Sequence, residues 1–347
     1  MNIWKSKKLL LATLLGSLAT GSANAAYEFK LTDTDKISFG GYVKVDARYV
    51  DGDVGYRDFW IGTGAPLEQS ASQFRIFANE TRFNTKYVHG DVTAFIEMDF
   101  LGGDGNEIVS NSAHPRLRHA FIKYQNVLAG QTWSTFMNTS AIPESADFAG
   151  ATVGLVFIRQ GQIRYSMGNF QVSIENPETW GGDTANDDSP DVVARYNLKG
   201  DWGSVSISAL GRSLTTASGE SESAFGASIA GRINTFGKDD LRFQFHKGEL
   251  GRYVGVAFAK DVAGEEVEDI TSYLVAYRHF WNEDLRTTVL YGNAEADISG
   301  ADRSQWSINL FKNMTKELAI GVEVGNFSME EIDKDSDYAQ LSFRYTL

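Results

Sequence analysis

Basic side chains recur at alternate positions through much of this chain, and their type suits the binding of anions. On the face opposite the apolar residues of each alternating segment they are Lys44, Arg48, Arg82, Lys86, Arg164, Arg195, Arg232, Arg242, Arg278, Arg286 and Arg344. The acids on that face are fewer: Asp46, Glu80, Glu97, Asp99, Glu175 and Glu323. Arg outnumbers Lys, and its planar guanidinium matches carboxylate or phosphate with two parallel hydrogen bonds. A ring of such cations around a passage attracts anions. A second reading stays open, in which arginines and acids pair along the wall and leave it neutral.

The stretch 137–160 interrupts the alternation. It carries Pro143, Gly150, Glu144, Asp147 and Arg159. A long irregular loop in a compact protein usually has a task. Folded inward, it would narrow a lumen and set Glu144 and Asp147 against the wall arginines. Left outside, it would lie over the rim.

Other chemistry finds little support. His89, His114, His119, His246 and His279 form no metal-binding spacing such as H-E-x-x-H. Neither a G-x-S-x-G elbow nor a Walker loop is present. No metal, cofactor or catalytic group is expected, although scattered catalytic residues on a barrel would escape such a search.

The elements that must position these side chains are strands. Ile37–Tyr49, Val92–Phe100, Val192–Leu198, Val205–Ala209, Phe225–Ile233 and Leu241–Phe245 alternate with a period of two. So do Tyr273–Tyr277, Leu285–Tyr291, Trp306–Leu310, Leu318–Val324 and Leu341–Leu347. Gln73–Tyr87, Arg116–Gln125, Leu128–Phe136 and Gln162–Glu175 are less regular. Together they amount to about sixteen strands of the length that crosses a bilayer. Tyr49, Tyr87, Tyr277, Trp281, Tyr291 and Tyr345 sit at segment ends, as aromatic girdles do.

The bulk numbers agree with an all-β, transmembrane antiparallel β-barrel. The 347 residues include no Cys, 34 Gly, only 5 Pro and 12% aromatics. The mean hydropathy of −0.26 is modest because half of each strand would face water. Without disulfides, strand pairing and packing must hold the fold. Past the leader no apolar run reaches the ~18 residues of a membrane helix. A barrel of this size is expected to enclose an aqueous lumen. A secreted β-sandwich is the other architecture the alternation allows.

Lys5, Lys7 and Lys8 precede the apolar run Leu9–Leu15 and then Ala23-Asn24-Ala25, the three regions of a secretory signal. The expected organisation is a signal peptide at 1–25, a short periplasmic segment at 26–36 and a barrel at 37–347, with a constriction loop at 137–160. The formal charge is −13, and loss of the three signal lysines takes it to −16, which argues against a nucleic-acid partner. The acids gather in runs such as Asp183–Asp188, Gly264–Asp269 and Glu330–Asp337, which read as solvated loops, with divalent-cation binding at a lipopolysaccharide surface as the second reading.

Several stretches resemble one family when taken in order. They are Phe39–Ala47 (FGGYVKVDA), Ile96–Phe100 (IEMDF), Arg116–Phe121 (RLRHAF) and Ala129–Phe136 (AGQTWSTF). Pro143 with Asp147-Phe148-x-Gly150, Ile163-Arg164-Tyr165, Ser173–Pro177 (SIENP), Tyr277–Trp281 (YRHFW) and Leu285-Arg286 continue the series. This order resembles the DcaP-like porins of Gram-negative outer membranes. The resemblance implies a sixteen-stranded barrel, a homotrimer, an arginine-lined constriction and uptake of small anionic solutes such as dicarboxylates. The chain departs from that pattern in two places. Only Ala26–Lys36 stands where the family carries a long helical stretch, and Leu347 stands where the family ends on an aromatic residue.

The sequence thus leads to a passive outer-membrane channel, not an enzyme, set in outer-membrane lipid and lipopolysaccharide. Its expected lining is Lys44, Arg48, Arg82, Arg159, Arg164, Arg195, Arg232, Arg242, Arg278, Arg286 and Arg344, with Glu144 and Asp147 on the loop. Arg195, Arg232 and Arg286 have no acid two residues away on their own face, so they are expected to be the least paired. A nonselective diffusion porin, a structural barrel and a barrel enzyme are the alternatives.

Overall fold

The computed structural model describes residues 27–347 except 104, 107 and 149–152. The signal segment 1–25 and its cleavage site lie outside the described residues. Eighteen strand segments join in one antiparallel sheet. Two are halves of one strand and one is a short leading strand, which leaves a closed barrel of sixteen.

In chain order the barrel strands are β1 (Asp35–Gly55) and β2, whose halves are Ala65–Phe77 and Arg82–His89. Next come β3 (Val92–Asp99), β4 (Arg116–Tyr124), β5 (Val127–Trp133), β6 (Arg159–Met167) and β7 (Phe170–Glu175). Then follow β8 (Asp191–Gly200), β9 (Gly203–Thr215), β10 (Ser221–Asn234) and β11 (Asp240–Gly248). The last are β12 (Ile270–Phe280), β13 (Leu285–Ala296), β14 (Asp302–Asn313), β15 (Leu318–Met329) and β16 (Lys334–Thr346). β16 closes on β1 with Val43↔Tyr345, Val45↔Phe343 and Ala47↔Leu341 in register. Closure pairs the end strands, so no open edge meets lipid.

The sequence segment Gln162–Glu175 is two strands, β6 and β7, joined at Gly168-Asn169. Within the segment ahead of the barrel, Tyr27–Lys30 forms a short strand that pairs with Lys36–Phe39. β2 breaks at Ala78–Thr81, shifting its pairing with β1 by one residue between Asp46↔Phe77 and Tyr42↔Arg82. Gly41 sits beside this break at φ +132°, where a Cβ would lie 2.0 Å from the Arg82 carbonyl oxygen. Only glycine tolerates that approach. The break turns Glu80 and Thr81 inward, and both are buried.

Alternation sorts the two faces. The outward face carries Tyr49, Ile96, Val289, Trp306, Val324 and Phe343, all exposed on the isolated chain as lipid-facing residues must be. Tyr87, Tyr277, Trp281 and Tyr345 belt the short-turn end, and Tyr291 and Trp306 lie nearer the other. By the short-turn rule for outer-membrane barrels, that end is periplasmic.

The inward face differs from the expected water-filled interior. In the outer half, along β1, β8, β9, β12, β13 and β15, it is largely apolar and covered by loops. Trp60 and Ile61 come from the first outer loop (56–64), Phe136, Ile142, Val156 and Phe157 from the third (134–158), and Leu250, Tyr253, Val254 and Phe258 from the sixth (249–269). They pack on Val50, Val54, Val193, Leu210, Leu274, Leu290 and Phe327 of the wall. The hydrophobic core therefore lies inside the outer half of the barrel, and the charged inward residues lie beneath and beside it.

Candidate functional site

The third outer loop follows β5 and re-enters the barrel, where charged wall residues hold it. Asp147 pairs with Arg48, whose Nε donates to Gln340 Oε1 at 2.7 Å and whose guanidinium stacks on Tyr56 at 4.1 Å. Lys44 Nζ donates to Asp46 at 2.9 Å, to the Ala146 carbonyl at 2.9 Å and to Glu80. Glu323 accepts the Ala146 N–H at 2.8 Å, the Ser145 hydroxyl at 2.9 Å and the Tyr338 hydroxyl at 3.0 Å. On the far wall, Arg286 grips Glu144 with two bonds of 2.6 and 2.7 Å, and Arg278 stands 3.6 Å away. Burial pushes the Glu144 carboxyl up. The bonded Arg286, together with Arg278 and Arg344, outweighs burial and holds it below the usual carboxylate range.

Two more arginines touch the loop through its backbone, and a third touches the strand end that leads into it. Arg242 donates to the Ile142 carbonyl and Arg195 to Met137 at 2.6 Å and Thr135 at 3.3 Å, while Arg164 donates to Trp133, the last residue of β5 before the loop. Arg242 also bonds Asp240 at 2.7 Å, and Arg278 bonds the same carboxylate at 3.0 Å. The side-chain partners of Arg164 and Arg195 are the neutral Gln162 and Asn197. Among the described residues Arg232 reaches only Asn234, at 3.5 Å, and Arg344 stands opposite Lys44 in register. Arg286 was the exception to the expected freedom of Arg195, Arg232 and Arg286, because its partner is on the loop and not on its own strand.

A second cluster occupies the outer ends of β3 to β6. Glu97 accepts from Arg118 at 2.8 Å and lies 3.6 Å from Arg82. Asp99 accepts from Arg116 at 3.0 and 2.7 Å and from Arg118 at 2.8 Å. Arg159, which heads β6, stacks on Trp133 at 4.6 Å, and among the described residues its Nη1 has no hydrogen-bond partner. Four guanidiniums thus face two carboxylates. Arg116 and Arg118 were absent from the sequence-derived lining. Their signal was Arg-x-Arg flanking Leu117, which points outward into lipid. A bulge opposite Glu97 blurred the alternation there.

With the geometry described, comparison with known proteins settles the family. The DcaP outer membrane protein family model matches residues 20–341. This chain belongs to the DcaP family. It is an outer-membrane protein of porin fold. The outer membrane channel DcaP of Acinetobacter baumannii superposes with a TM-score of 0.78 at 22% identity, over 92% of this chain and 99% of that one. An anion-selective porin from Comamonas acidovorans gives 0.60 at 13% identity, over 90% and 100%. OmpT of Vibrio cholerae gives 0.59 at 13% identity, over 93% and 100%. No curated protein matches the chain. At these identities the solved structures support the DcaP-family fold and no particular solute.

Among the described residues no group of His, Asp and Glu is arranged to hold a metal ion. What the arrangement does offer is a set of inward-facing arginines, several bonded only to neutral oxygens, around a loop anchored to opposite walls.

Proposed function

We propose that this DcaP-family chain is a passive channel for small anionic solutes, dicarboxylates among them, and that it works as a homotrimer without enzymatic activity. The observation that carries this reading is the surplus of guanidinium in the lumen. Arg82, Arg116 and Arg118 share two carboxylates, Arg159 beside them stacks on Trp133, and Arg164, Arg195 and Arg232 bond only neutral oxygens. A fixed cation in a low-dielectric passage raises the local concentration of anions, and a guanidinium fork fits a carboxylate edge-on. The inner loop would be the constriction, with Glu144 and Asp147 as its anchors and not as solute ligands. The trimer is supported by family membership and by the existence of a trimer form of OmpT of Vibrio cholerae.

One set of contacts favours the nonselective alternative. Lys44, Arg48, Arg242, Arg278 and Arg286 are all engaged with carboxylates, which lowers the charge that a solute would meet. The test is the reversal potential of the reconstituted protein in a salt gradient, with competition by a dicarboxylate. Anion preference that fades with salt supports the proposal. A zero reversal potential supports the nonselective porin.

A further inference from the structure

The apolar outer half of the lumen raises the question of how a solute passes it. Three short segments build its lid. Segment 153–158 and segment 253–258 zip together through an antiparallel bridge, Val156↔Val254. The Phe157 N–H donates to the Tyr253 carbonyl at 3.0 Å, and the Gly255 N–H to the Leu155 carbonyl at 2.8 Å. The helical turn Trp60–Thr63 of the first outer loop docks on them. A Cβ on Gly62 would lie 2.6 Å from the Val256 carbonyl oxygen. Trp60, Val153, Val156, Tyr253 and Val254 are 0% exposed.

The docking line is strained. Gly255, Val256 and Ala257 are consecutive left-handed residues at φ 55°, 58° and 61°. Phe59, at the start of the helical turn they meet, has φ 60°. L-residues avoid this region and seldom occupy it in succession, and a β-branched residue there is an outlier. Such strain persists only where the surroundings enforce it, and it gathers in segments that switch.

The anchoring is uneven as well. Residues 144–147 are tied to the wall by Arg286, Arg48 and Glu323, as described above. The start of the sixth loop is tied by Arg252 to Asp191 at 2.8 Å and by the Tyr253 hydroxyl to Asp191 at 2.6 Å. Segment 153–158 is also tied by its Val153 N–H to Gln305 Oε1 at 3.4 Å and by the Ile158 carbonyl to the Ser134 N–H at 3.1 Å, whereas beyond these ties, among the described residues, 254–258 is held by apolar contact and the short zipper.

We propose that this lid is a gate. The zipper between 153–158 and 254–258 parts, and 254–258 with the turn 60–63 swings away from the barrel axis, unwinding the left-handed turn, while 153–158 stays with 144–147 as the constriction. The arrangement described here is the shut one. The gate rests on the channel reading above, and it adds that the channel opens at its outer half. Arg116 links it to the cationic cluster, because its guanidinium stacks on Phe59 at 4.9 Å.

The chain has no Cys, so a cross-link can be introduced on a clean background. Directly paired residues of an antiparallel bridge lie within the Cα separation that a disulfide spans. Val156→Cys with Val254→Cys, reconstituted in planar bilayers, should lose its conducting events on oxidation and regain them with a thiol reductant. In parallel, Val256→Gly relieves strain in the shut form only, so open events should become rarer than in wild type. A cross-linked channel that conducts like its reduced form would overturn the gate, as would failure of the two cysteines to cross-link in folded protein. A Val256→Gly channel opening as often as wild type would count against the strain argument. If neither wild type nor the reduced variant conducts, the channel reading itself falls and takes the gate with it.

Discussion

Replacing Glu144 by Gln separates the two roles of the inner loop, its anchoring and its charge. Glu144 accepts two bonds from Arg286, at 2.6 and 2.7 Å, with Arg278 3.6 Å away. Breaking one partner of such a buried pair costs about 3–5 kcal/mol, because the remaining charge is left unmatched. Asp147 and the Glu323 contacts still hold the neighbouring turn, so the loop should loosen at Pro143–Glu144 and not leave the lumen. The lumen also gains one unit of positive charge. An anion passing ~8 Å away at an effective dielectric of ~20 gains about 2 kcal/mol before screening. A Debye length of ~10 Å at 0.1 M salt leaves roughly 1 kcal/mol, or about a fivefold rise in local anion concentration. Single-channel recording of Glu144→Gln should therefore show higher conductance and a reversal potential moved further towards anions. Acid provides the same perturbation in the wild type. The arginines hold the folded Glu144 carboxyl below its free value, so its contribution is complete above the ~4.3 of a free glutamate and is lost only as pH falls through the lower folded value. Wild type should show an acid-induced rise in conductance below about pH 4 that is smaller in Glu144→Gln. Unchanged conductance and selectivity in the variant, with the same acid response as wild type, would refute the placement of Glu144 beside the path.

Two further predictions address the barrel and its export. Phe343 faces lipid in the closing strand, so Phe343→Arg should cost about 2–4 kcal/mol near the midplane and less towards the interface, and it should reduce the heat-modifiable folded band on gels. Asn84→Arg, on the inward face beside Glu97, should leave that band intact; equal loss in both would mean the faces are wrongly assigned. Ser342 is not a suitable inward control, because its buried hydroxyl bonds Asp46 and Gln340 and leaves no room for an Arg. N-terminal sequencing of protein taken from outer membrane should begin at Ala26 or Tyr27, and a retained Met1 would contradict cleaved export.

Alternation made the barrel legible because lipid on one face imposes a strict period, as at Val289, Tyr291, Trp306 and Ile308. It also separated Lys44, Arg48 and Arg286 from their lipid-facing neighbours. What alternation cannot convey is the medium on the inner face. Val50, Val193, Leu210 and Leu290 point inward onto loop residues remote in sequence, and a period of two reads the same whether that face meets water or protein. The partner of Arg286 was hidden for a similar reason. Glu144 is 142 residues away, and the rule that looked two residues along the same strand had no reach to it. The break in rhythm at 137–160 was visible, since Pro143 and the run around it carry no strand period. The turn at Gly168-Asn169 was not visible, because alternation continues through β6 and β7 on both sides of two small polar residues.

The central claim is that surplus arginine in the lumen selects anions. It is tested most directly by the reversal potential of reconstituted wild type in a potassium chloride gradient, beside the double variant Arg195→Glu with Arg232→Glu. Neither arginine has a carboxylate among its hydrogen-bond partners, so each substitution changes the lining by two charges without stranding an acid. Wild type should reverse on the anion side, and the variant should move towards cations. The difference should shrink as the Debye length falls to ~3 Å near 1 M salt. A wild-type reversal potential at zero, unmoved in the double variant at low salt, would contradict it.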